Sequence, residues 1–245
     1  MRRFKLVIEY DGTGFKGWQK QASSPSIQGA IEAAIYGFSG QSVEVYGSGR
    51  TDAGVHALGQ VAHFDIDSRV ASCQIMGAIN FHLKPNKIAI VSCAETSSDF
   101  HARFSAINRA YKYKIINRTS PLAIESNRAW LVSRELNLEL MQKGASILIG
   151  NHDFSSFRAS SCGALSPIKT VNSLKIEQIG DIIKIEISAK SFLHHMVRNI
   201  VGTLVDLGTG KISYDRLHDI LNAKDRSQAG VTAPACGLYF TRVDY

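Results

Sequence analysis

Acidic residues are in short supply. In 245 residues, 21 Asp and Glu face 28 Lys and Arg, a formal net charge of +7. The deficit is concentrated: between His101 and Arg134 the cations Arg103, Arg109, Lys112, Lys114, Arg118, Arg128 and Arg134 meet a single acid, Glu125. Such a balance favours a polyanionic partner over a cationic one. Cysteine is scarce as well. Cys73, Cys93, Cys162 and Cys236 lie far apart with no Cys-x-x-Cys pair, which argues against a disulfide framework or a cysteine zinc site and suits reduced thiols in a cytoplasmic protein. No apolar run reaches the ~18 residues of a membrane span. Met1-Arg2-Arg3 leads straight into a strand pattern instead of the apolar core of a signal peptide, so no membrane association is expected. Metal spacing is missing too. His194 and His195 are adjacent and, on a helix, would point about 100° apart, unlike the i, i+4 pair of a zinc helix. His56, His63 and His101 stand at no ligand spacing from a cysteine, and no metal is expected. Gly47-x-Gly49 lacks the lysine of a phosphate loop.

What is present suits a globular chain with a real core, 44% hydrophobic and 20% charged. Phe4, Leu6, Ile8 and Tyr10 alternate with Lys5, Val7 and Glu9, the period of a strand. Ser24-Pro25 reads as a cap and first helical position, ahead of Ile27, Ala30, Ile31, Ala34, Ile35 and Phe38 at helical spacing. Ala62, Phe64 and Ile66 mark a second strand, and Ile75, Met76, Ile79 and Leu83 a second helix. Ile88–Cys93 predicts a short strand buried on both faces. Farther on, Ala110–Ile116 alternates strictly, with Tyr111, Tyr113 and Ile115 on one face and Lys112 and Lys114 on the other. Leu136, Leu140, Met141, Ile147 and Leu148 predict a helix. Gly180-Asp181 lies between two strand patterns as a hairpin turn. A helical stripe runs through Phe192, Met196, Ile200 and Leu204, with Arg198 among apolar neighbours, and Gly237–Val243 forms a last strand. Aromatic residues Phe100, Phe104, Tyr111, Tyr113 and Trp130 interleave with the cationic stretch. Cations for phosphates and rings for bases are the parts of RNA recognition, although a solvated basic face over an aromatic core has the same composition.

One stretch organises the rest. Val45–Gln60 holds Gly47, Gly49, Gly54 and Gly59 among small residues, with Arg50 and Asp52 two positions apart. It follows a strand-like Val43-Glu44-Val45-Tyr46 and predicts a shaped loop that presents both side chains. A tight turn in which Asp52 only accepts backbone hydrogen bonds would look the same. Gly49–Ala57, Gly-Arg-Thr-Asp-Ala-Gly-Val-His-Ala, closely resembles the active-site motif of the TruA family of tRNA pseudouridine synthases. Further matches follow in order: Phe100-His101-Ala102-Arg103-Phe104, Arg109-x-Tyr111, His152–Arg158, Phe192–Asn199 and Gly237-Leu238-Tyr239.

The resemblance covers nearly the whole chain, and its implications are specific. The fold would be α+β, the pseudouridine synthase fold, with two similar halves whose mostly antiparallel sheets join around a central catalytic cleft. Residues 1–105 would carry the glycine loop, and residues 106–245 would complete the cleft. Asp52 matches the catalytic aspartate and Arg50 the arginine that helps expel the target base. Tyr111 matches the tyrosine that packs on that base, Arg198 the arginine that orients the carboxylate and keeps it charged, and Leu238 an apolar wall residue. Phe100, His101, Ala102, Arg103, Phe104 and Arg158 match RNA-binding positions. The implied substrate is the tRNA anticodon stem-loop at positions 38, 39 and 40, the implied state a homodimer, and the implied cofactor none. A chain that kept the scaffold to bind or chaperone tRNA without chemistry is the rival reading.

Overall fold

The computed structural model describes residues 1–21 and 24–245. The chain divides into two compact units, Met1–Ile107 with Tyr239–Tyr245, and Asn108–Leu238.

The first unit runs β1 (Arg2–Tyr10), α1 (Ile27–Ser39), β2 (Tyr46–Gly47), β3 (His56–Ile66), α2 (Ser72–His82) and β4 (Ile88–Thr96), and β10 (Leu238–Asp244) returns to it from Tyr239 onward. Alternation in β1 does what its pattern predicts: Phe4, Leu6, Ile8 and Tyr10 are buried. β1 pairs antiparallel with both β3 and β4, while β10 lies parallel to β3 through Tyr239↔His56 and Phe240↔Ala57. β4 departs from expectation. Among the described residues it pairs only with β1, at the end of the sheet, and Ile88 and Ile90 are buried while Ala89 and Val91 are exposed. Helix α1 starts later than Ser24-Pro25 suggests. Ser26 is its cap, its hydroxyl accepting the Gly29 N–H at 3.2 Å, and the Pro25 carbonyl instead accepts the Lys16 N–H at 2.9 Å. The strand-like run before the glycine loop shrinks to Tyr46–Gly47, paired with His63 and Ala62 of β3.

The second unit contains β5 (Asn108–Asn117), β6 (Trp130–Val132), α3 (Leu138–Ile147), β7 (Gly150–Asp153), β8 (Ile168–Ile179), β9 (Ile182–Ala189), α4 (Met196–Gly208) and α5 (Tyr214–Ala223). Its antiparallel order is β5-β9-β8-β7, with β6 parallel to β5. The β8–β9 hairpin turns at Gly180, whose φ of 60° is why glycine serves there. Tyr113, Ile115, Ile183, Ile185 and Ile187 are buried along β5 and β9; α3 lies against β8 and α4 against α3, and the α4 side chains Ile200, Val201 and Leu204 are fully covered. Helix α4 begins at Met196, four residues after the apolar stripe starts, because His195 takes a left-handed conformation, φ 61°. His194 and His195 therefore precede the helix, and the 100° helical offset does not apply to them.

Both units are mixed α and β with mostly antiparallel sheets, as the α+β expectation requires. Among the described residues no helix is long and apolar enough to cross a membrane, and all four thiols are free.

Candidate active site

Asp52 sits on a loop whose backbone is held from below. The Asp52 carbonyl accepts the Val55 N–H at 3.1 Å, closing a turn completed by Gly54 at φ 78°. The segment after β1 grips the loop. Trp18 N–H donates to the Thr51 carbonyl at 3.0 Å, the Tyr10 and Thr51 hydroxyls are 2.8 Å apart, and a β-carbon on Gly17 would lie 2.5 Å from that same Thr51 oxygen. Gly47 packs as closely on Trp18, where a β-carbon would meet the indole at 2.6 Å. Burial raises the Tyr10 hydroxyl, more than hydrogen bonds to Thr51 and Gln60 lower it, so it stays protonated. Above this buried base Arg50 is exposed and Asp52 partly so, while Ser48, Thr51 and Val55 are buried. The carboxylate is the only acid between Val45 and Gln60.

On the same unit the segment after β4 carries the aromatic and basic residues matched to RNA binding. Arg103 and Phe104 project outward, Phe104 being 76% exposed, whereas Ala102 is fully buried. The link between them is His63 of β3. Its Nδ1 accepts the Ala102 N–H at 3.2 Å, so the ring proton is placed on Nε2. The His63 ring stacks on Tyr46 at 5.1 Å and meets His101 edge-on at 4.7 Å. Burial, with the neighbouring His101 and Arg3, pushes His63 down to about 4, so it is neutral at physiological pH. His101 is also lowered, by burial and by Arg3 and Arg103. Its Nδ1 accepts the Arg103 N–H at 3.1 Å, and its ring lies 4.4 Å from that of Phe104. Phe100, partly buried, meets His63 edge-on and packs on Tyr245 at 4.9 Å.

The second unit holds the remaining matched residues. Tyr111 on β5 meets Phe192 edge-on at 5.2 Å. Arg198, in the first turns of α4, donates through Nε to the Ala233 carbonyl at 2.7 Å, and Ala233 N–H returns a bond to the Arg198 carbonyl at 3.1 Å. Leu238 opens β10 and is buried, just after Gly237, where a β-carbon would strike the Tyr113 ring at 2.5 Å. Arg158 turns its guanidinium inward on its own loop, to the carbonyls of Cys162 and, at 2.9 Å, Ala164. The rings of His194 and His195 lie 4.0 Å apart, tilted by 44°.

Sequence reasoning singles out Asp52 and Arg50 but assigns Tyr10, Gly17, Trp18, Gln60 and His63 no part in holding the loop and the 100–105 segment. No local pattern marks that role, because each acts on residues far away in the chain.

A model of the tRNA pseudouridine synthase family matches residues 6–105 and 145–245. Relatives named tRNA pseudouridine synthase A align with the chain from end to end. That of Ehrlichia ruminantium (strain Gardel) is 56% identical over 244 residues, 99% of each chain. The Ehrlichia chaffeensis protein is also 56% identical over 244 residues, covering 99% of this chain and 100% of the relative. The more distant Rhodospirillum rubrum protein is 49% identical over 245 residues, 100% of this chain and 88% of the relative. By the family model and by these relatives alike, the chain belongs to the tRNA pseudouridine synthase family.

Proposed function

We propose that the chain acts on the anticodon stem-loop of tRNA, at uridines 38, 39 and 40, with Asp52 as the catalytic nucleophile. Isomerisation of uridine to pseudouridine in tRNA is the activity of its family. In that reaction uracil leaves C1′, turns, and rejoins through C5, so a C–N bond is exchanged for a C–C bond. C5 loses a proton and N1 gains one, and atoms balance without oxidant, energy input or cofactor. A carboxylate suits the work because it can bond covalently to the substrate or stabilise a glycosyl cation. The observation that carries the reading is the lone carboxylate of Asp52 on a loop whose backbone is tied down by buried groups.

Other roles follow from chemistry. Arg50, exposed beside Asp52, is a planar cation able to fill the stack left by an extruded base. Tyr111 offers a ring for the target base, Leu238 an apolar wall, and Arg198 a positive charge at the substrate. Three adjacent target positions cannot each match a pocket that reads base edges, so recognition rests on shape and phosphates. Phe100, His101, Arg103 and Phe104 supply rings and charge for that purpose, while Ala102 and Arg158 contribute by holding the backbone of their segments. A cytoplasmic homodimer completes the reading.

Asp52→Asn keeps the shape and removes the charge. With transcript tritiated at uracil C5, this variant should release no tritium, while its tRNA affinity falls by less than about tenfold, or ~1.4 kcal/mol. Appreciable turnover by the variant refutes the assignment of Asp52. Absence of tritium release by the unmodified protein would favour a tRNA-binding protein without chemistry.

A further inference from the structure

The side chain of Gln60 has no solvent exposure, yet it is fully engaged. Oε1 accepts the Ser48 hydroxyl at 2.6 Å and the Val61 N–H at 3.2 Å. Nε2 donates to the Gly49 carbonyl at 2.9 Å. Separately, the Tyr10 and Thr51 hydroxyls meet at 2.8 Å. Only one orientation of the amide fits. Flipping it would set oxygen against the Gly49 carbonyl and nitrogen against the Val61 N–H.

The residues held by this amide are 48 and 49. They immediately precede Arg50, which itself projects to solvent. An extended cation on a loop samples many positions, and its usefulness in a stacked helix depends on where its backbone starts. We propose that Gln60 is a positioning residue that fixes Arg50, acting through Ser48 and the Gly49 carbonyl immediately before it. The inference rests on the reading of Arg50 as the residue that assists base extrusion, and its target is the transition in which the base leaves the stack.

The test is a double-mutant cycle. Single-turnover rates at saturating tRNA are measured for Gln60→Met, Arg50→Ala and the double variant. Each is assayed on a fully paired anticodon stem and on one whose target uridine faces a mismatch. Gln60→Met should slow conversion in the paired stem by about ten- to a hundredfold, the scale of sub-ångström misplacement, and the mismatch should restore most of the rate. In the Arg50→Ala background the same substitution should add little, because its effect passes through residue 50. Equal slowing in both backgrounds, or no slowing at all, overturns the proposal. Should Gln60→Met fail to fold, Ser48→Ala removes one bond of the same amide, and the same cycle decides by the same two outcomes. The reading of Arg50 fails separately, when Arg50→Ala loses equally on paired and mismatched stems. The coupling between positions 60 and 50 is then still measured by the cycle and still decides.

Discussion

If Asp52 is the reacting group, one methyl group at Gly17 should disable its loop while leaving tRNA binding nearly whole. A β-carbon there would lie 2.5 Å from the Thr51 carbonyl oxygen, 3.1 Å from the Asp52 carbonyl carbon and 3.2 Å from Ala53 N. These are backbone atoms, which cannot swing aside as a flexible side chain does, and the Trp18 N–H already occupies the same oxygen at 3.0 Å. Ordinary contact begins near 3.4 Å, so the loop must yield by about 0.9 Å. Gly17 also has φ 94°, where a side chain costs ~1–2 kcal/mol, and overpacking adds ~1–3 kcal/mol. The melting midpoint should fall by roughly 5 to 15 °C. A displacement of about 1 Å at the carboxylate's backbone should cost on the order of a hundredfold in rate. Gly14→Ala separates the two effects. Gly14 has φ 84°, and its β-carbon would have nothing within 4 Å, so that variant bears the conformational cost without touching the loop. Single-turnover tritium release at saturating tRNA is the assay. If Gly17→Ala stays within threefold of Gly14→Ala, the contact does not position Asp52 and the reasoning fails.

Arg103→Ala removes an exposed cation, so it should weaken binding of all tRNA substrates alike and flatten the slope of log affinity against log salt by about one unit; an unchanged slope means Arg103 meets no phosphate. His63 is driven down to about 4 from an ordinary 6.5, so below pH 6.5 the unfolded chain binds the extra proton and stability falls as pH drops from 6.5 toward 4, by at most ~3 kcal/mol. Denaturant titrations should show His63→Gln flattening that slope, and an equal slope in the variant would place the acid sensitivity elsewhere.

How much of this the amino-acid order shows depends on the range of the interaction. Alternation along β1 is local and states its buried face directly, as does the stripe of α1 from Ile27 to Ile35. The glycine loop is equally local, so Arg50 and Asp52 stand out unaided. Whether a strand is covered on one face or two is not a local property: Ile88–Cys93 is apolar enough for either, yet Val91 is exposed while Ile88 and Ile90 are buried. The start of α4 is hidden because the apolar spacing runs on through Phe192, while the left-handed His195 interrupts the backbone. Helix α5 did carry a signal, a Ser213 cap with Leu217, Ile220 and Leu221 at helical spacing, diluted by the polar residues between. Nothing in Gly237–Val243 says which strand it will join, and its parallel pairing with β3 spans most of the chain. Tyr10 and Thr51 are 41 positions apart and His63 and Ala102 are 39. No pattern of period two or 3.6 can express such partners.

The two parts of the first unit that meet RNA in this reading are built differently, and the difference bears on chemistry. Arg103 and Phe104 are exposed to solvent, on a backbone that His101 and, through Ala102, His63 hold, as suits contacts that tolerate adjustment to phosphates and rings. The loop bearing Asp52 is closed on its inner side. Its inward groups Ser48 Oγ, Gly49 C=O and Thr51 C=O find protein partners in Gln60 and Trp18. Backbone groups of a simple surface turn can leave such bonds to water. Replacing water by buried polar partners adds little net stability, about 0.5–1.5 kcal/mol for each bond, and it removes conformational freedom that an RNA-binding loop has no reason to lose. Fixed geometry matters most where a reacting atom must be met to within about half an ångström. The rigid loop therefore favours a reacting Asp52 over a scaffold that only binds tRNA.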